Sequence, residues 1–288
     1  MSYRFLPHLS PLVFLTLFVS SLVSAQDPEP VRAITPLAGE VYRFQSGGHY
    51  GVFMVSEEGI VVADPISADT ATWLKGELQA RFAQPVKYVL YSHDHWDHAS
   101  GAEVFPEATV IAHANAPRRI VEADRGVRQP DLTFSSELEL KLGGKSIHLY
   151  YLGVSHSDNL VYMVFPQERI LFVVDAVGVK RLPFQDFAGT DVDGLIGALA
   201  ALEQMNVDIV APGHGEIGTL EDIREHREYI EKLKDEITTL LRAGTSDAEI
   251  KATMARSLEE YSSWDSYATW RDANIEGMLA YVKSNYRF

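Results

Sequence analysis

"VLYSHDHWDHAS", residues 89–100, closes a β-branched and aromatic run with three histidines and two aspartates in six positions. Burying imidazoles and carboxylates side by side is costly without partners, so a core role does not account for the crowding, whereas a metal does. The composition of the chain gives the pattern His-x-His-x-Asp-His roughly 0.0008 chance occurrences, which sets coincidence aside. In an extended loop His93 and His95 point the same way and grip one ion, while Asp97 and His98, past a bend, turn to a second. "VKYVLYS" reads as a short apolar strand, so the cluster sits on a loop at a strand's C-terminal end, where open α/β sheets keep their ligands.

Two ions need more donors than one loop supplies, and the chain has no cysteine, which leaves His, Asp and Glu. Further donors stand at the ends of later apolar runs. "GVSHSDN" holds His156, "LFVVDAV" ends on Asp175, "APGHGE" sets His214 between glycines, and "IVVADP" ends on Asp64.

Around these points the chain reads as alternating strands and helices. After a polar, Pro-containing lead-in, "VYRFQSGGHYGVFMVSEEGIVVADP" reads as antiparallel strands with tight turns, and "ADTATWLKGELQARFA" as a helix with Asp69 near its start. "ATVIAH", "SIHLYYLG", "NLVYMVFP", "RILFVVDAV" and "VDIVAPGHG" read as strands, and "DVDGLIGALAALEQM" as a helix. From Thr219 the chain reads as helical, with Gly244 stopping the first long helix.

Residues 1–25 read as a secretory signal, with Arg4 at the positive end, "PLVFLTLFV" as the apolar region and Val23-Ser24-Ala25 before the cut; the apolar run is shorter than the ~20 residues of a membrane span. The expectation is a periplasmic or secreted protein with no stable membrane anchor after cleavage. The remainder is read as residues 26–218, one α/β domain, with residues 219–288 as a helical extension packed on it. The formal net charge of −15, one unit more negative without Arg4, argues against nucleic acid and points to a small-molecule substrate.

In order and approximate spacing, Asp64, the His93–His98 cluster, His156, Asp175 and His214 resemble the five motifs of the metallo-β-lactamase fold superfamily. That resemblance implies a four-layer αβ/βα sandwich. It implies that His93, His95 and His156 hold a first zinc, that Asp97, His98 and His214 hold a second, and that Asp175 bridges them. It further implies that Asp64 orients the site from behind, and Asp97 is a candidate to steer the nucleophile. Zinc lowers the pKa of bound water from about 15.7 to near 7, so the implied enzyme is an exported binuclear zinc hydrolase attacking an ester, thioester or lactone carbonyl with a metal-bound hydroxide. Iron and manganese are the alternative ions.

An aspartate at 175 resembles the glyoxalase II-like and lactonase branches, whereas "HSDNLVY" is similar to the corresponding motif of secreted β-lactamases. Hydrolysis of β-lactams and an iron-dependent redox reaction of the same fold are therefore the competing readings. A purely structural zinc site is disfavoured, because such sites are closed and usually thiolate-rich. In "DAVGVKRLPFQDF", Lys180 or Arg181 is a candidate anchor for a substrate carboxylate and Phe184 or Phe187 a candidate apolar wall, against a reading as solvated cations beside core aromatics. His148 and His226 read as surface or satisfied core residues. His49 in "SGGHYG" and His113 in "VIAHANA" either line the pocket or belong to the scaffold, and Asp94 and Trp96 support the loop.

Overall fold

The structure, a computed structural model, describes residues 1–2 and 30–286; the leader expected over residues 1–25 lies, apart from the first two residues, outside the described residues. From residue 31 onward the chain forms two sheets, each covered on its outer face by helices.

The first sheet runs in chain order: β1 (Arg32–Ala38), β2 (Val41–Ser46), β3 (His49–Ser56), β4 (Gly59–Ala63), β5 (Val86–Leu90), β6 (Thr109–His113) and β7 (Leu132–Phe134). β1 to β4 are antiparallel neighbours and β4 to β7 are parallel. Parallel neighbours need crossovers, supplied by α1 (Ala68–Arg81), the short turn α2 (Trp96–Ala99) and α3 (Ala116–Ala123). α1 begins where the Ser67 side chain accepts a hydrogen bond from Thr70 N at 3.1 Å.

In the second sheet the order is β12 (Ile209–Pro212), β11 (Ile170–Val173), β10 (Tyr162–Phe165), β9 (Lys145–Tyr150) and β8 (Glu137–Leu142). α4 (Val192–Leu202) connects β11 to its parallel neighbour β12, capped by Asp191 accepting from Gly194 N at 2.9 Å. α5 (Leu220–Arg242), α6 (Asp247–Ser257) and α7 (Tyr267–Asn285) follow. Asp222 accepts from Thr219 N at 2.8 Å to close the N-terminus of α5.

Strand periodicity builds the layers. In β4, Val61 and Ala63 face the second sheet and meet Leu149, Met163 and Phe172, while Ile60 and Val62 face outward onto Leu74 and Leu78 of α1. In β11, Ile170 and Phe172 face the central layer, and Leu171 and Val173 turn to Leu195, Leu199, Tyr229 and Ile230 of α4 and α5. Strands covered on both faces read as continuous apolar runs, as these do.

The structure corrects the reading of residues 26–40 as a lead-in. Arg32–Ala38 pairs with β2 as an edge strand that accommodates Pro36, with a bulge between Pro36 and Ala38. β8, "ELELKL", is a second edge strand that the sequence reading passed over; its outward glutamates and lysine diluted the apolar signal.

Phe172 lies fully buried between the sheets. Phe172→Ala is expected to cost about 3–5 kcal/mol, seen as a lower denaturant midpoint with the slope unchanged.

Candidate metal centre

Every donor picked out in the sequence stands where a strand ends along one edge of the two sheets. Asp64 follows β4, His93 follows β5, His156 lies between β9 and β10, Asp175 follows β11, and His214 follows β12. β3 runs antiparallel to β4 with Val52 opposite Ala63, so its first residue, His49, emerges at the same edge.

Fixed hydrogen bonds set the tautomers. Ser92 donates its only proton through Oγ to Asp64 Oδ2 at 2.6 Å, and Asp64 Oδ1 accepts from Ser92 N at 2.8 Å. The contact of 2.9 Å between Ser92 Oγ and His93 Nδ1 must then be donated by the imidazole, which leaves His93 Nε2 a bare lone pair. His214 Nδ1 donates to Gly48 O at 2.9 Å, with the same result at its Nε2.

Those lone pairs converge on Asp175. Its Oδ2 lies 3.4 Å from both His93 Nε2 and His156 Nε2. Its Oδ1 lies 3.4 Å from His98 Nε2 and 3.2 Å from His214 Nε2. His98 Nε2 and His214 Nε2 are themselves 3.1 Å apart, and His95 Nδ1 is 3.2 Å from His156 Nε2. Asp97 Oδ2 stands 3.6 Å from His98 Nε2 and 3.9 Å from His214 Nε2. Among the described residues, His93 Nε2 and Asp175 Oδ1 find no hydrogen-bond partner although both are buried. Acceptors facing acceptors in a buried space need positive charge between them, and the spacing suits cations. Three overlapping groups emerge: His93, His95, His156 and Asp175; His98, Asp175 and His214; and His49, Asp97 and His214.

The proton affinities agree. Burial disfavours charge on His93 and holds its pKa well below the usual imidazole value. Burial disfavours charge on Asp175 as well, yet His98, His214 and His93 hold its carboxyl well below the usual range. Burial also opposes protonation of His98, but Asp175, Asp64 and Asp97 together push its pKa up to about 9, so the imidazole itself carries a proton among these carboxylates when no cation is bound. Asp64 is raised to about 6 by burial, partly countered by His98 and by the two Ser92 bonds.

The supporting loops are tied to one another. Asn159 accepts from Asp94 N at 2.9 Å and donates to Asp94 Oδ1 at 2.5 Å, locking the His156 loop to the His93 loop, a role for Asp94 that the sequence reading foresaw only in outline. Arg43, buried on β2, donates to Pro212 O and Gly215 O at 2.7 Å each, on either side of His214. A Cβ at Gly213 would come within 2.6 Å of Val174 and 3.1 Å of His98, so glycine is required there. Asn159 lies in the "HSDNLVY" stretch singled out in the sequence, which assigns it no role, and Arg43 carried no signal, since single polar residues in strands and loops rarely declare their partners.

His113 does not join the cluster; it stacks on Tyr151 at 3.9 Å and donates from Nε2 to Ser135 O at 3.1 Å. His49 does, with Nε2 3.4 Å from Asp97 Oδ2. Lys180 is paired with Glu225 of α5. Arg181 packs over Trp270 at 4.8 Å, with Nε 3.4 Å from Asp265, and its guanidinium reaches within 3.9 Å of a Cβ placed on Gly215, next to His214. Phe184 is exposed and meets Trp270 edge-on at 5.1 Å. Phe187 is no wall residue; it is buried beneath α4 in the core.

Comparison with known proteins returns the same architecture. The family model Lactamase_B, described as the metallo-beta-lactamase superfamily, matches residues 63–214. The 2,4-dinitroanisole O-demethylase subunit alpha of Nocardioides sp. (strain JS1661) is 28% identical over 204 residues, 68% of this chain and 61% of that protein. The match therefore spans less than two thirds of that relative. The metallo-beta-lactamase type 2 of Bacillus cereus is 26% identical over 175 residues, 58% of this chain and 67% of that one. Among solved structures, a metallo-beta-lactamase from Pontibacter korlensis superposes with a TM-score of 0.62 at 22% identity, covering 70% of this chain and 99% of its own.

His226 is buried on α5 and accepts from Gly178 N at 3.4 Å, bracing the loop that follows Asp175. Burial lowers its pKa to about 4. Against about 6.5 when unfolded, its neutral form contributes stability that is complete above pH 6.5 and lost as pH falls toward 4, about 3 kcal/mol in all. In His226→Gln the acid-side decline of the unfolding free energy between pH 6.5 and 4, measured by denaturant titration at each pH, should be shallower than in the parent chain by that amount.

Proposed function

The chain belongs to the metallo-beta-lactamase superfamily, and on that premise we propose that it is an exported binuclear zinc hydrolase that opens an ester, thioester or lactone carbonyl. The observation that carries the proposal is the Asp175 carboxylate, one oxygen turned to His93 and His156 and the other to His98 and His214. Divalent ions held there supply Lewis acidity, lowering the pKa of water and polarising a carbonyl oxygen.

The residues of the chain do the rest. His93, His95 and His156 would hold one ion, with Ser92 and Asp64 fixing the ring of His93 from behind. His98, His214 and Asp97 would hold the other, with the Asp175 carboxylate standing between the two groups. Burial resists ionisation of Asp97, but its contacts with His49 and His98 outweigh this and hold the carboxyl well below the usual range, so it serves as an orienting acceptor for water. Arg181, beside the His214 loop, is placed to meet a substrate carboxylate, and Phe184 with Trp270 forms an apolar ledge next to it. Lys180, engaged by Glu225, is the weaker candidate anchor.

Relatives named as β-lactamases support β-lactam hydrolysis as a second reading, and the relative named for 2,4-dinitroanisole adds an aryl ether to the compounds worth assaying. Export rests on the leader motif alone; no described helix is long and apolar enough to cross a membrane.

Elemental analysis of the purified chain should return two zinc ions, and the same sample should turn over a thioester or an acyl lactone faster than a cephalosporin or 2,4-dinitroanisole. Faster cephalosporin turnover would establish the second reading, and iron in place of zinc would support redox chemistry. Asp175→Asn should retain at most one ion and lose at least about 100-fold in kcat/KM; both ions retained with full activity would refute the bridge. Arg181→Ala should raise KM about tenfold for substrates bearing a carboxylate and leave neutral substrates unchanged, measured by steady-state kinetics.

A further inference from the structure

We propose that His49 is an additional ligand of the second metal position, on the side of Asp97 and His214. The inference rests on the binuclear reading above.

The backbone of the β2–β3 hairpin is tied to the loop that carries His214. Gly48 O accepts from His214 Nδ1 at 2.9 Å, and Tyr50 N donates to Gly213 O at 2.9 Å, so the residues on both sides of His49 are held. Arg43 adds its two bonds to Pro212 O and Gly215 O and lies 3.5 Å from the Tyr50 ring centroid. Four hydrogen bonds thus fix where residue 49 emerges, and it emerges beside the second group of donors.

The side chain follows the backbone. His49 Nε2 is 3.4 Å from Asp97 Oδ2, inside the 3.1 to 3.9 Å that separates the other donor atoms around His98 and His214. Donor atoms bound to one ion at about 2.0–2.2 Å stand about 3–4 Å apart, so this spacing is the one a shared ion requires. His49, Asp97 and His214 each offer one atom, all within 4.8 Å of one another. The His49 ring packs edge-on against His214 at 4.7 Å between centroids and lies tilted to the ring of His98 at 6.0 Å. With its side chain 37% exposed, it closes the open side of Asp97 toward solvent.

The test uses the full chain loaded with cobalt(II). In the parent, two equivalents should bind, and each coordinated imidazole that keeps an N–H should give a hyperfine-shifted exchangeable proton resonance. His49→Phe should lose one such resonance and bind the second equivalent at least tenfold more weakly, with the first equivalent unchanged. His49→Gln keeps a hydrogen-bond donor of similar reach to Asp97; it should behave like the Phe variant, and it keeps the question answerable if the Phe variant fails to fold. Unchanged resonances and affinity in both variants overturn the proposal. So does weakened binding with every resonance retained, or rescue by Gln, since each assigns His49 to a hydrogen bond on Asp97. A parent chain that takes up a single cobalt overturns the binuclear reading itself, a result distinguishable from failure of His49 alone.

Discussion

The structure is organised around one electrostatic demand. Asp175 presents both oxygens to imidazole nitrogens whose protons are already committed elsewhere, at Ser92 for His93 and at Gly48 for His214. Lone pairs brought to within 3.2 to 3.4 Å in a dry space repel one another unless positive charge lies among them. Asp175 also takes a left-handed backbone conformation, φ 59°, unusual for a residue other than glycine, which turns its carboxylate out of the strand line and into the group. A chain selected only to fold would relieve such a cluster by substituting apolar residues.

The rest of the fold delivers that cluster. Two twisted sheets pressed together by Met54, Met163, Phe165 and Phe172 bring the ends of β4, β5, β11 and β12 to one edge. Rigid strands fix where each loop begins, and cross-loop bonds fix where it goes: Asp64 to Ser92, Asp94 to Asn159, Arg43 to the carbonyls beside His214. Arg43 is a buried cation that makes no ion pair among the described residues; burial lowers its pKa to about 10, countered by Tyr50 and by the more distant Glu216, while carbonyls and the face of Tyr50 receive it. Placing a charge there is costly unless it supports something, and it supports the loop of His214.

Much of this was legible in the sequence because metal chemistry and strand periodicity both leave local marks. His-x-His-x-Asp-His is too dense to arise by chance, and an apolar run ending in Asp or His is a strand reaching an edge. What stayed hidden depended on partners distant in the chain. Pro36 argues against a strand until an edge position excuses it. His49 looks like any turn-flanking histidine until the antiparallel register of β3 and β4 sets it beside Asp97. Phe187 and Phe184 stand three residues apart in one loop, yet one is buried in the core between the second sheet and its helices and the other is exposed, a difference set by tertiary packing.

The distribution of these residues also explains why the names of relatives carry so little about substrate. The family match ends at His214, the last residue of the cluster, and begins at Ala63, next to Asp64. The ledge proposed to receive substrate is built from the loop after Asp175 together with helices beyond the match. Asn274 of α7 donates to Pro183 O at 3.0 Å, Asp265 N donates to Lys180 O at 2.8 Å, and Leu182 N donates to Asp265 O at 3.1 Å. Gly277 lies so close to Asp186 O that a Cβ there would sit 1.9 Å from it, which ties the approach of α7 to the path of this loop. On the proposed reading the donors and the loop after Asp175 both lie within the matched residues, while the ledge is completed by Trp270 of α7 beyond them.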